Sequence, residues 1–328
     1  MKTQLVVVAL VLVFGLVPFP VMAEPEALKF ADWLQELRDE AKAAGISEAT
    51  LDLALANLVT PRAEVVTLDR SQPELTQAFS RYLAARVGEE RIDRGQLMLR
   101  RYPTWLGRVE RDYGVQRRFI VALWGMESSY GLHTGNFPVV EALAALAYDG
   151  RRAAYFRGEL LNALRIVDAG YIPFERMKGS WAGAMGQCQF MPSSFLRFAV
   201  DADGDGRRDI WESVPDVLAS TANYLAHHGW QDDQTWGRPV RLPREFDAEL
   251  AGLETRLPLS RWQALGVRRL DGRPLPRREL KASLLLPDGP QGPAFLVYDN
   301  FRALLRWNRS ISFALAVGSL SDLLENRR

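Results

Sequence analysis

Cysteine is almost missing from this chain. Cys188 is the only one, so no internal disulfide can form and stability has to come from packing, with or without a metal ion. Histidine is nearly as scarce, at three residues: His133, His227 and His228. None has an evident pairing with Cys188, which argues against a Cys–His nucleophile, and they are too few for a zinc site. The adjacent pair is expected near a helix end. Charge of one sign is lacking as well. Residues 1–23 carry one of the 41 basic side chains, Lys2, and none of the 40 acidic ones, so the remainder is balanced at 40 of each. A neutral chain gives no electrostatic case for nucleic acid or for an anionic membrane surface. There is no internal repeat, no low-complexity tract, and no apolar run of the roughly 20 residues a membrane span needs.

What is present is an ordinary globular composition over 328 residues, 48% apolar and 25% charged, enough for a sizeable core and one to three domains. Residues 1–23 have the form of a secretory signal: Lys2, the apolar stretch Leu5–Val17 broken by Pro18 and Pro20, and Val21-Met22-Ala23 as the cleavage site. A membrane anchor is the competing interpretation, but the stretch is short, and no cysteine follows that could take a lipid. The expectation is an exported, soluble protein.

Helical patterning dominates. Glu26–Asn57 predicts two helices, the second capped at Ser47. Val59–Pro73 reads as extended and irregular, Glu74–Tyr102 and Trp105–Tyr113 as helical. Val139–Ala147, Ala153–Ala169, Val214–His228 and Phe301–Leu324 follow the same 3.6-residue spacing. Between residues 230 and 293 prolines and short apolar runs, Pro239–Leu242 and Ala282–Leu286, predict short strands, as does Val297–Phe301. The fold class is therefore mainly α (α+β). The expected organisation is a signal at 1–23, a helical region at 24–112, a core at 113–230, a small β-containing subdomain at 231–298 and a returning helical segment at 299–328.

Three stretches carry candidate chemistry. In Phe119–Gly131, Ile120, Leu123 and Glu127 share a helical face, so a carboxyl interrupts an apolar stripe near a helix end, with Gly131 placed as the cap. A carboxyl in apolar surroundings resists ionisation and can act as an acid near neutral pH; an ion pair with an arginine is the alternative. The segment Gly179–Phe195 combines Gly179, Gly183 and Gly186 with Ser180, Gln187, Gln189, Trp181 and Phe190. Close backbone approach, uncharged hydrogen-bonding groups and flat apolar faces suit a sugar, although a glycine-rich turn held by core aromatics has the same composition. In Asp201–Glu212, the residues Asp201, Asp203, Asp205, Arg207, Asp209 and Glu212 occupy positions 1, 3, 5, 7, 9 and 12 of an EF-hand loop, with Gly206 at position 6. Arg207 would contribute only its carbonyl. A single such loop predicts a structural Ca²⁺ rather than a sensor; a solvated acidic turn is the alternative.

From about Tyr113 to Arg309 the sequence resembles the soluble, periplasmic branch of the lytic murein transglycosylase B family, within a lysozyme-like superfamily. The likeness rests on Glu127-Ser128-Ser129-Tyr130-Gly131, on Lys178-Gly179-Ser180-Trp181-Ala182-Gly183-Ala184-Met185-Gly186 and on Gln189-Phe190-Met191-Pro192-Ser193-Ser194. The EF-hand loop follows, then Asn223-Tyr224-Leu225, His228-Gly229-Trp230, Asn300-Phe301 and Trp307-Asn308-Arg309-Ser310. At Trp307 the chain departs from the family's common Tyr. The resemblance implies a lysozyme-like helical core. It implies non-hydrolytic cleavage of the β-1,4 bond between N-acetylmuramic acid and N-acetylglucosamine in peptidoglycan, leaving a 1,6-anhydromuramoyl end. Glu127 would be the one catalytic residue, acid and then base. Tyr130, Ser180, Gln189, Tyr224, Tyr298, Asn300 and Phe301 would contact glycan strands, and Ca²⁺ would support folding, with no cofactor for catalysis. It implies cell-wall synthesis enzymes as candidate partners, and a monomer. Two other functions are compatible with the residues: a hydrolytic muramidase, with Glu141 or Glu175 as second carboxylate, and a non-catalytic peptidoglycan- or calcium-binding protein.

Overall fold

The computed structural model describes residues 26–71 and 77–326; the expected export signal lies outside them. Helices α1 (Glu26–Ala43) and α2 (Glu48–Leu55) are separated at Gly45, and Ser47 caps α2 by accepting from the Thr50 N–H, as its sequence predicts. Helix α3 (Ala63–Arg70) corrects the expectation of an extended segment at Val59–Pro73. Its β-branched Val65, Val66 and Thr67 lower the local helical preference, but burying Val65 outweighs it. The predicted helix at Glu74–Tyr102 is two helices, α4 (Phe79–Arg86) and α5 (Glu89–Arg101), with Gly88 as the N-cap of the second. Pro103 opens α6 (Pro103–Tyr113) at a position where its missing N–H costs nothing.

Helix α7 (Arg117–Ser128) is the centre of the molecule: every residue from Phe119 to Met126 is buried. A hairpin-like pair, β1 (Phe137–Pro138) and β2 (Lys178–Gly179), encloses α8 (Val139–Asp149) and α9 (Ala153–Asp168). Helices α10 (Pro192–Phe198) and α11 (Val214–His227) flank the acidic loop, and the histidine pair does stand at the end of α11.

The β region is one antiparallel sheet in the order β4 (Leu257–Pro258), β6 (Lys281–Leu285), β7 (Ala294–Val297), β3 (Gly237–Arg241) and β5 (Arg268–Arg269). The short helix α12 (Leu259–Ala264) covers it, and Trp262 and Tyr298 anchor a second, smaller apolar cluster there. The expected strand at Val297–Phe301 is corrected: Val297 ends β7, and Asp299 already opens α13 (Asp299–Trp307). Helix α14 (Ile311–Asn326) then returns to pack on α7. Gly318 lets α14 also lie against Trp236, because a Cβ there would lie 2.2 Å from Trp236 Cδ2. Among the described residues no helix is long and apolar enough to cross a membrane.

Candidate active site and ion-binding loop

Glu127 sits half-buried in the last turn of α7. The helix stops one residue later. Ser129, not Gly131, takes the left-handed capping conformation (φ 51°, ψ 46°), and Tyr130 (φ 61°) continues it. Gly131 (φ 84°) is required for another reason: a Cβ there would lie 2.4 Å from Gln187 Oε1. Gln187 is buried and links three segments. Its Oε1 accepts from the Trp124 indole N–H at 2.8 Å and its amide donates to the Trp211 carbonyl at 2.8 Å. Its own carbonyl accepts from Ser128 Oγ at 2.9 Å. The end of the helix bearing Glu127 is thereby tied to the Gly179–Phe195 segment.

That segment is a tight double turn. The Ser180 N–H donates to Ala184 O, and Ser180 Oγ accepts the Ala184 N–H at 3.1 Å. Gln189 is a third non-glycine residue at positive φ (51°). Its amide donates to Thr134 O at 3.0 Å and to Gly186 O at 2.8 Å, so the carbonyl oxygen is what it has left for a ligand. Backbone strain of this kind concentrates at functional sites.

The wall around Glu127 is aromatic. The Trp307 indole N–H, at the end of α13, donates to Glu127 Oε1 at 2.6 Å. The Trp307 ring lies 4.8 Å from Tyr224 and 5.3 Å from Phe190, centroid to centroid. Tyr224 is stacked on His228 at 4.2 Å, and its hydroxyl donates to the Arg306 carbonyl. Burial raises its phenol above the ordinary range. Tyr155 was not singled out by the sequence pattern. It is half exposed on α9, edge-on to Phe156, and partial burial followed by the nearby Glu159 carboxylate raises its phenol above the ordinary range. Its only signal in the sequence is an aromatic one position off the buried face marked by Phe156.

The remaining predicted contact residues lie elsewhere. Tyr130 is buried between α5 and α7, edge-on to Trp124, its hydroxyl donating to Arg91 O at 2.8 Å; burial pushes its phenol up. Phe301 is wholly buried in the main core. Asn300 is equally buried, accepting from the Gln231 N–H and donating to the carbonyls of Gln231 and Gln234. Tyr298 belongs to the β-region cluster, its hydroxyl accepting from Arg238 Nε at 2.8 Å. The structure brings Tyr224 to the wall beside Glu127 and gives these four residues packing and loop-pinning contacts. Of the two further carboxylates considered, Glu141 accepts from Arg62 at 2.9 Å and Glu175 is exposed. Cys188 is buried, and desolvation pushes its thiol up to about 12, which leaves no thiolate for nucleophilic chemistry.

In the acidic loop, carboxylate oxygens of Asp201, Asp203 and Asp205 all lie within 4.8 Å of one another. Three like charges so close fit a hard, oxygen-seeking cation between them. Asp209 and Glu212 are not in this cluster. Asp209 accepts the Trp211 and Glu212 N–H groups at 2.9 Å each, Glu212 pairs with Arg176, and Arg207 is exposed. Asp216, which the EF-hand spacing does not include, is fully buried and pins the loop from below. It accepts the N–H groups of Ala202 and Asp209 at 2.7 Å each, and burial raises its carboxyl above the usual range.

Comparison with known proteins places this geometry. Residues 29–322 match the family described as Transglycosylase SLT domain. The membrane-bound lytic murein transglycosylase B of Escherichia coli K12 is 33% identical over 251 residues, spanning 75% of this chain and 67% of that one. Among solved structures, SltB3 of Pseudomonas aeruginosa in complex with NAG-anhNAM-pentapeptide is 49% identical, with a TM-score of 0.87 over 90% of this chain and 80% of that chain. The Escherichia coli lytic transglycosylase Slt35 in complex with calcium is 29% identical, with a TM-score of 0.76 over 92% and 93% of the two chains. A match over nearly the whole described chain makes this chain a member of the SLT-domain transglycosylase family.

Proposed function

We propose that the protein is a peptidoglycan lytic transglycosylase that cleaves the β-1,4 bond between N-acetylmuramic acid and N-acetylglucosamine without water, leaving 1,6-anhydromuramoyl ends. The observation that carries this is Glu127, a half-buried carboxyl that accepts from the indole N–H of Trp307, whose ring packs on Tyr224 and Phe190. Two-carboxylate glycosidases need a partner about 5–10 Å away. Here Glu141 is committed to Arg62. One carboxyl suffices when the substrate's N-acetyl carbonyl attacks the anomeric carbon. Glu127 first protonates the departing glycosidic oxygen. It then takes the proton of the C6 hydroxyl, which closes the anhydro ring. Ser180 and the Gln189 carbonyl are offered to the N-acetyl group and sugar hydroxyls. Tyr224 and the exposed ring of Tyr155 are offered as flat faces for pyranose rings. Tyr130, Tyr298, Asn300 and Phe301 support the fold of this cleft from behind.

The acidic loop takes Ca²⁺ in this proposal. Asp201, Asp203 and Asp205 hold it, Arg207 O, Asp209 and Glu212 are the further ligands that the EF-hand spacing supplies, and the ion braces the segment that carries Gln189. Residues 1–23 direct export, so the site of action is the periplasm.

The test is mass spectrometry of muropeptides released from purified peptidoglycan. Wild type is expected to release anhydromuramoyl products, and Glu127→Gln to lose them by about 100-fold or more. Hydrated reducing ends from wild type would make it a muramidase. Release of nothing by a folded, Ca²⁺-loaded protein would make it a binding protein.

A further inference from the structure

We infer that Trp307 is a positioning residue that decides which oxygen of Glu127 carries the acidic proton, so that both proton transfers run through Oε2. The inference rests on the acid–base role proposed above and adds to it the identity of the reacting oxygen.

An indole N–H can only donate. Its Nε1 stands 2.6 Å from Glu127 Oε1, the short separation expected when the acceptor is ionised. Once the carboxyl is protonated, the two oxygens differ: the carbonyl oxygen is the better acceptor and the hydroxyl oxygen the poorer one. A proton on Oε1 would set the indole against the poorer acceptor. A proton on Oε2 leaves the hydrogen bond intact. The indole therefore selects the form with the proton on Oε2, and keeps the same contact in both protonation states.

The ring cannot easily turn to escape this choice. It is wedged against Phe190 and Tyr224, and Tyr224 is fixed in turn by its hydroxyl on the Arg306 carbonyl and by His228 stacked behind it. A donor-and-acceptor side chain in this place would allow the carboxyl to protonate on either oxygen; tryptophan does not.

The reaction then balances on one atom. In the first step the N-acetyl carbonyl oxygen bonds to the anomeric carbon as the bond from that carbon to the glycosidic oxygen breaks, and the Oε2 proton goes to the departing oxygen. In the second, the C6 hydroxyl oxygen bonds to the anomeric carbon as its bond to the N-acetyl oxygen breaks, the electron pair returning to the acetamido group, and the C6 hydroxyl proton goes to Oε2. The acid is restored in the form in which it began, with no rearrangement of Glu127 between its two roles.

The proposal is tested by pH profiles of anhydro-product formation for wild type, Trp307→Phe, Trp307→Tyr and Glu127→Gln. Glu127 must be protonated for the first step, so its titration sets the alkaline limb. Phenylalanine removes the donor that stabilises the carboxylate. The limb is expected to move up by about one pH unit in Trp307→Phe and to stay near the wild-type position in Trp307→Tyr, whose phenol still donates. A Trp307→Phe protein that melts as wild type does, with its limb unmoved while Glu127→Gln is inactive, would overturn the proposal and leave the catalytic role standing. A Glu127→Gln protein that still makes anhydro product at the wild-type rate would remove the parent role instead. A second readout needs no Trp307→Phe protein. The Trp307 indole ¹⁵N–H resonance of wild type, assigned by its loss in Trp307→Tyr, should titrate at the midpoint of the alkaline limb and stay downfield below it. A resonance that ignores this titration would equally overturn the assignment.

Discussion

Gly135 shows how much of the cleft depends on single positions. It lies in the loop after the Glu127 helix at φ 91°, and a Cβ on it would meet Gly179 O at 2.1 Å. Alanine there has to displace the β1–β2 pair that leads into the Gly179–Phe195 segment, at a cost of about 2 kcal/mol or more. Gly158, in the middle of α9, has nothing within 4 Å of its would-be Cβ. Thermal melting should show Gly135→Ala well below wild type and Gly158→Ala equal to it or above, by about 0.5–1 kcal/mol. If the two variants melt alike, the close approach is not what Gly135 provides. At this scale the sequence was partly legible. Glu127 was visible because a carboxyl on an apolar helical stripe is anomalous on its own. Its donor was not, because a contact between residues 127 and 307 leaves no local pattern. Ser129, Tyr130 and Gln189 at positive φ were equally hidden, since nothing in their side chains requires that conformation. The aromatic residues expected to touch sugar were recognisable as aromatic, but whether each faces a cleft or the core depends on tertiary packing.

Of the six positions that the EF-hand spacing singles out in the acidic loop, Asp201, Asp203 and Asp205 come together, a grouping the sequence could show because they are close along the chain. What spacing cannot convey is Asp216, one turn into α11, which accepts two loop N–H groups. Nor does it convey Arg176, which holds Glu212. The loop is expected to confer Ca²⁺-dependent stability. In wild type the melting midpoint should rise with added Ca²⁺, and Asp201→Ala combined with Asp205→Ala should melt at one temperature with or without it. A double variant that still responds to Ca²⁺ would remove the ion from this loop. Helix α3 illustrates the opposite case. Its eight residues hold three β-branched ones, so local preference pointed to extended chain. The helix exists because Val65 is fully buried and Asp69, on the same side, reaches α9.

Across the whole molecule, Asp69 is an ion-pair centre joining the N-terminal helices to the core. Its carboxylate accepts from Arg151 and Arg152 at the start of α9, and the Arg151 hydrogen bond, with Arg152 behind it, holds its carboxyl below the usual range in spite of burial. A carboxyl whose folded pKa is depressed stabilises the fold fully above its unfolded value, about 3.9, and loses that contribution as pH falls through the folded value. Asp69→Asn should therefore melt lower than wild type at pH 7. The arginines are half exposed, so the difference is modest, about 1–2 kcal/mol. It should shrink below about pH 4. A gap that stays constant from pH 7 into that acid range would mean that packing, not charge, accounts for the residue. The helical class and the β region were legible at this scale because periodicity and proline content change along the chain. A helical segment returning to the core was expected as well; that α14 settles on α7 in particular is a tertiary contact with no local pattern.

The hydrogen bond between Trp307 and Glu127 also bears on the order in which the site is assembled. The two partners are separated by 180 positions, with the β region between them. A growing or threading chain exposes its glutamate long before the indole exists to orient it. In the proposal made above, the proton of Glu127 is therefore fixed on one oxygen only once the last two helices are in place, and an unfinished copy lacks that control.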